Sequence, residues 1–164
     1  MKILVAEDEP SILELYKIVL ELNDHEVFLT SNGEECLNVF HEHVKGSEPS
    51  QDTGSTPFDI VLLDYRMPRK NGLQVATEIL STCPRQKIVM VSAFASEIVE
   101  GLTKALRNSI KVLEKPIEFE NLPQILENER KRELTAHDNK GNSPAPSASS
   151  KGLWINQKLK EHMK

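Results

Sequence analysis

Residues 59–64 read DIVLLD, a run of four apolar residues, Ile60 to Leu63, closed by an acid. A short apolar run between polar neighbours is the pattern of a strand buried on both faces, and such strands build parallel sheets. Three other stretches repeat it. Ile3-Leu4-Val5-Ala6 runs into Glu7-Asp8, Ile88-Val89-Met90-Val91 into Ser92, and Val112-Leu113 through Glu114 to Lys115-Pro116. Open parallel sheets bind ligands outside the carboxyl ends of their strands. The four runs therefore deliver acidic groups, a hydroxyl and an amine to one edge of one sheet.

Helical patterns fill the gaps between the strands. After a first strand at 2–6, Pro10 opens a helix with Ile12, Leu15, Tyr16, Val19 and Leu20 at helical spacing, and Asn23-Asp24 breaks it. Val27-Phe28-Leu29 is a short second strand. Asn32-Gly33 turns the chain into a helix with Cys36, Leu37, Phe40 and Val44 on one face. A polar loop at 45–57 leads to the third strand, 59–63. Asn71 caps a helix that opens at Gly72 and carries Leu73, Val75, Ala76, Ile79 and Leu80. After a fourth strand at 87–91, Ile98, Val99, Leu102, Ala105 and Leu106 predict one continuous helix, with Asn108 as its left-handed terminator. The fifth strand is 110–114. A last helix starts near Asn121–Pro123 and runs into a charged stretch. Five such units predict an α/β fold, a doubly wound five-stranded parallel sheet with helices on both faces.

Beyond this domain, residues 1–130, the chain changes character. Residues 131–152 read as a charged helix end and a flexible linker rich in Pro, Gly, Ser and Ala. Residues 153–164 form a short basic amphipathic tail containing Trp154, the only tryptophan. The net charge of −5 divides unevenly, with −9 in residues 1–127 and +4 in residues 128–164. An acidic body argues against nucleic acid as a partner. No apolar stretch is long enough for a transmembrane helix, and the first residues lack an apolar leader, so no membrane role is expected. Cys36 and Cys83 are too few for a disulfide framework and read as reduced thiols in a cytoplasmic protein.

With the first strand beside the third, Glu7, Asp8 and Asp64 crowd together. Three carboxylates so placed repel, and a hard divalent cation relieves them. Mg²⁺ takes carboxylate oxygens and keeps positions open for phosphate. Lys115 supplies a compact cation and Ser92 a hydrogen-bond donor for phosphoryl oxygens. The cluster reads as a site for phosphoryl transfer, which demands positioning and charge neutralisation and little else.

The segments LVAEDEP, DIVLLDYRMPRKNG, VMVSA and LEKPI together resemble the four signatures of a response-regulator receiver domain, over about residues 1–130. The resemblance implies the flavodoxin-like receiver fold with strand order 2-1-3-4-5, in a stand-alone, single-domain regulator. It implies that Asp64 accepts a phosphoryl group from a histidine kinase or phosphotransfer protein. Glu7, Asp8, Asp64 and the backbone carbonyl of Arg66 would hold Mg²⁺. Ser92 and Lys115 would contact the phosphoryl group, and Lys115–Pro116 would be a cis peptide. The implied function is signalling through protein contacts, with no metabolic turnover. The contacts would lie on the face formed by helix four, strand five and helix five, with a phosphorylation-dependent homodimer left open.

One departure stands out. Where the family usually carries Tyr or Phe three residues before the lysine, this chain has Val112. That leaves a rival reading, a degenerate receiver that binds partners without phosphorylation. A Mg²⁺-dependent phosphatase of similar architecture is disfavoured, because Arg66 occupies the place of that class's second Asp. Arg66 and Phe94 flank the site and bear on water access to it.

Overall fold

In the computed structural model, residues 1–46 and 56–132 are described. Their elements alternate along the chain. They are β1 (Lys2–Ala6), α1 (Pro10–Glu21), β2 (Glu26–Thr30), α2 (Gly33–Gly46), β3 (Ile60–Asp64) and α3 (Gly72–Thr82). There follow β4 (Ile88–Ser92), α4 (Ala95–Gly101), α5 (Lys104–Ser109), β5 (Ile110–Glu114) and α6 (Leu122–Lys131). All strand pairs are parallel, as the apolar runs predict, and the order is β2-β1-β3-β4-β5, as the resemblance implies.

Strand periodicity divides the core in two. Leu4, Val61, Leu63, Ile88 and Met90 face one side, against Cys36, Phe40, Val75, Ile79 and Ile98 of α2, α3 and α4. Ile3, Val5, Ile60, Leu62, Val89 and Val91 face the other, against Tyr16 and Leu20 of α1 and Leu122 and Leu126 of α6. Successive side chains point to opposite faces, so five-residue strands feed both layers. β3 and β4 are buried along their whole length. Each fully buried Leu or Ile contributes roughly 1.5–3 kcal/mol of transfer free energy.

Helix boundaries follow local chemistry. Pro10 lies in the first turn of α1, where its missing N–H costs nothing. Asp24 takes a left-handed conformation (φ 59°) and turns the chain into β2. Asn71 caps α3 in a reciprocal box. Its side chain accepts from the Gln74 N–H at 2.9 Å, and the Gln74 side chain accepts from the Asn71 N–H at 3.0 Å. At the far end of the molecule, the Lys87 ammonium closes the carbonyl end of α6. It donates to the carbonyls of Glu129 (3.0 Å), Arg130 and Arg132.

Two expectations are corrected. The fourth helix is not continuous: Leu102 is extended (φ −73°, ψ 133°) and Thr103 starts a new helix, its hydroxyl accepting from the Leu106 N–H. Leu102 is in the core nonetheless, so the apolar spacing is kept across the break. Asn108 is no left-handed terminator, since Asp24 and Arg69 are the only non-glycine residues with positive φ among those described. Helix α5 passes directly into β5, and the Asn108 carbonyl accepts from Arg132 at 2.6 Å. The linker beyond residue 132, the tail at 153–164 and most of the loop at 45–57 lie outside the described residues.

Candidate functional site

Register places the site. Ala6 pairs with Leu63 and Asp64 with Val91, so Glu7 follows its strand beside Asp64. Ser92 pairs with Glu114, which puts Lys115 one step past the edge of β5. Glu7, Asp64 and Ser92 are buried, at 2%, 6% and 3% exposure, while Asp8 is exposed. One oxygen from each of Glu7, Asp8 and Asp64 lies within 4.8 Å of the others.

Lys115 spans the cluster. Its Nζ stands 2.5 Å from Asp64 Oδ1 and 3.3 Å from Glu7 Oε2. Asp64 Oδ2 accepts from the Arg66 N–H at 2.7 Å, and Glu7 Oε1 from the Glu9 N–H at 3.2 Å. Burial pushes the Glu7 carboxyl above the usual range; the charge of Asp64 adds to this, while the Glu9 amide and Lys115 oppose it. Burial alone would lower Lys115. The hydrogen bond and charge of Asp64, with the charge of Glu7, outweigh it and leave the ammonium raised. Beneath the cluster, Tyr16 is held protonated, first by burial and then by the charges of Glu7 and Asp64.

Three carboxylates against one ammonium leave two negative charges uncompensated at a buried edge. A divalent cation cancels that excess, and three hard oxygen donors, one of them exposed, are the set Mg²⁺ prefers. The residues fit the ion.

The loop after β3 is shaped to present Asp64. Gly72 passes so close that a Cβ there would stand 2.4 Å from the Asp64 carbonyl oxygen. Its N–H donates to the Tyr65 carbonyl at 2.9 Å. Met67 is buried and anchors the loop, and Arg69 adopts a left-handed backbone (φ 68°) while pairing with Glu34 at 2.9 Å. Across the site, the Ser92 carbonyl accepts from the Lys115 N–H at 2.9 Å, and its hydroxyl accepts from the Phe94 N–H at 3.0 Å. The Lys115–Pro116 peptide is cis.

Glu7, Asp8, Asp64, Ser92 and Lys115 thus lie together at the edge, and the Arg66 N–H joins them on Asp64 Oδ2. What sequence reasoning missed is a contact: the Arg66 guanidinium carbon lies 4.2 Å from the centroid of the Phe94 ring. The two residues are far apart in sequence, and only the adjacency of β3 and β4 brings their loops together. His43 is half-buried, its ring packed against Phe28 and Phe58.

Residues 3–127 match the family described as response regulator receiver domain. The transcriptional regulatory protein MalR of Bacillus subtilis (strain 168) is 30% identical over 136 residues, covering 81% of this chain and 52% of MalR. The transcriptional regulatory protein ZraR of Escherichia coli (strain K12) is 28% identical over 162 residues, covering 98% of this chain and 33% of ZraR. The chain thus spans between a third and about half the length of these relatives. Among solved structures, response regulator protein TrrA from Thermotoga maritima, in complex with Mg²⁺-BeF, aligns with a TM-score of 0.61 at 29% identity. That alignment covers 78% of this chain and 97% of TrrA.

Proposed function

The chain belongs to the response regulator receiver domain family and serves phosphorylation-switched signalling; from that premise we propose that Asp64 is its phosphoacceptor. The observation that carries this reading is the bridge from Lys115 to both Asp64 and Glu7 inside a cluster of three carboxylates. TrrA, similar over nearly its full length, is described in complex with Mg²⁺-BeF, and that supports the same occupant here.

In this reading Glu7, Asp8, Asp64 and the Arg66 carbonyl hold Mg²⁺, which neutralises charge on the entering phosphoryl group. The phosphodonor is a histidine kinase or phosphotransfer protein carrying a phosphohistidine. A carboxylate oxygen of Asp64 attacks the phosphorus, a P–O bond forms, and the P–N bond to the partner's imidazole breaks. Lys115 turns from the carboxylate toward a phosphoryl oxygen, and the Ser92 hydroxyl, now accepting from Phe94, donates to another. The protein assists only this transfer and the later hydrolysis of the aspartyl-phosphate to carboxylate and inorganic phosphate, and is not a conventional enzyme.

Residues 1–130 form the receiver unit, with the linker and tail following it. Output runs through protein contacts on the face formed by α4, α5, β5 and α6. Phe94 and Val99 support this choice: at 38% and 40%, they are the exposed large hydrophobics of the described residues. A phosphorylation-dependent homodimer through the same face would appear as a mass increase by light scattering. A cytoplasmic setting fits Cys36 and Cys83, which are both free, the first with its thiol pushed up to about 12 by burial.

The test is labelling with a small-molecule phosphodonor in Mg²⁺. Wild type takes up the phosphoryl group and Asp64→Asn does not. Equal labelling of the two, or none in wild type, refutes the assignment.

A further inference from the structure

We infer that Arg66 is a second cationic ligand for the phosphoryl group, held in reserve on the Phe94 ring until that group arrives. The inference rests on the phosphoacceptor reading of Asp64.

Three observations carry it. First, the guanidinium sits 4.2 Å above the Phe94 centroid and, among the described residues, makes no ion pair, although Asp64 of the carboxylate cluster is only two residues away. Second, both Asp64 oxygens already have a donor: Lys115 Nζ stands 2.5 Å from Oδ1, and the N–H of Arg66 itself donates to Oδ2, so the guanidinium rests on the ring instead. Third, the backbone of each residue is already tied to the site, Arg66 to Asp64 and Phe94 to the Ser92 hydroxyl. The pair is therefore registered on the two groups that phosphorylation changes.

A phosphoryl group on Asp64 brings three strong acceptor oxygens and added negative charge. A planar guanidinium binds such oxygens through paired charge-assisted hydrogen bonds, which are stronger than an exposed cation–π contact. Arg66 then leaves the ring. Phe94, at the start of α4, is released as its hydroxyl partner Ser92 also turns away. This gives the chain an aromatic that responds to the state of Asp64 in the absence of one at Val112.

Competition for one guanidinium fixes the signs of the test. Beryllofluoride in saturating Mg²⁺, titrated against the full chain by calorimetry, serves as the phosphoryl probe. Arg66→Gln weakens its binding about fivefold to tenfold. Phe94→Leu tightens it about twofold to fivefold, the strength of an exposed cation–π contact. In the double variant the Phe94 change has no effect, because there is no guanidinium to release. In parallel, the Arg66 Nε–H proton loses its upfield ring-current shift when beryllofluoride binds wild type. A ring that merely orders the site predicts the opposite sign, so weaker binding by Phe94→Leu overturns the inference. So does tightening that persists without Arg66, or a ring-shifted proton that stays put. Should wild type bind no beryllofluoride at all, the phosphoacceptor reading itself fails.

Discussion

Gly72 and Asp64 touch through their backbones: a Cβ on Gly72 would stand 2.4 Å from the Asp64 carbonyl oxygen and 3.0 Å from the Tyr65 Cα. Both obstacles are main chain and cannot swing aside. Gly72→Ala must therefore move either the start of α3 or the end of β3. We expect a loss of about 2 kcal/mol or more in urea denaturation. Phosphodonor labelling falls with it, because Asp64 is carried on the displaced segment. A variant as stable as wild type would show that the loop yields without strain.

Removing Lys115 leaves the carboxylates without their internal cation. Its head is one-third exposed, so water screens part of the loss. Lys115→Ala is expected to cost roughly 1–2 kcal/mol in metal-free buffer. Mg²⁺ should stabilise this variant more than wild type, since it takes over the neutralisation. Denaturation curves with and without Mg²⁺ measure both effects, and equal Mg²⁺ responses would count against a shared role for ion and ammonium.

Asp8 is the exposed member of the cluster, so its loss costs the fold little while the ion loses a ligand. For wild type, millimolar Mg²⁺ should raise the melting midpoint. For Asp8→Asn the midpoint without Mg²⁺ should equal or slightly exceed that of wild type, because one of the mutually repelling charges is gone, and the Mg²⁺-dependent rise should disappear. A rise that survives in the variant would place the ion elsewhere.

The box at the start of α3 offers a purely structural control. Asn71→Ala removes the side-chain acceptor for the Gln74 N–H and is expected to cost about 1 kcal/mol. Because α3 begins next to the Asp64 loop, labelling by the phosphodonor tests whether stability and site can be separated. We expect the labelled fraction to be unchanged under conditions where the variant stays folded.

Acid sensitivity has a source away from the cluster. His25 Nδ1 lies 3.4 Å from the amino terminus, and Nε2 is buried without a partner. Burial and, after it, the terminal ammonium lower the pKa of His25 below 6.5, against the opposing charges of Glu127 and Asp24. A folded pKa below the unfolded one means that the unfolded chain binds the extra proton more readily. The contribution of His25 is therefore present above about pH 6.5 and is lost as pH falls through the folded value. Between pH 7 and pH 5, wild type should lose more stability than His25→Gln. Parallel pH profiles for the two would show that the ring titrates normally.

Much of this could be read from the chain because β1 from Ile3 onward, β3 and β4 are buried on both faces and so carry no polar residue until they end. The end of each run is then also the edge of the sheet, and Glu7, Asp64, Ser92 and Lys115 announce themselves. The break between α4 and α5 was hidden for a related reason. Ile98, Leu102 and Leu106 pack on the core across the break and keep the spacing expected of one continuous helix, so spacing alone does not distinguish one helix from two. The Arg66–Phe94 stack and the Lys87 cap were beyond reach as well. Each depends on where a long side chain goes after leaving its own element, and no period in the sequence encodes that.

The Lys87 cap ties the start of β4 to α6. The strand has Ser92 at one end and, one residue before its other end, a cation gripping the last turn of α6. It is paired on both sides and buried throughout. One five-residue strand thus spans the distance between the hydroxyl of the site and the carbonyl end of α6.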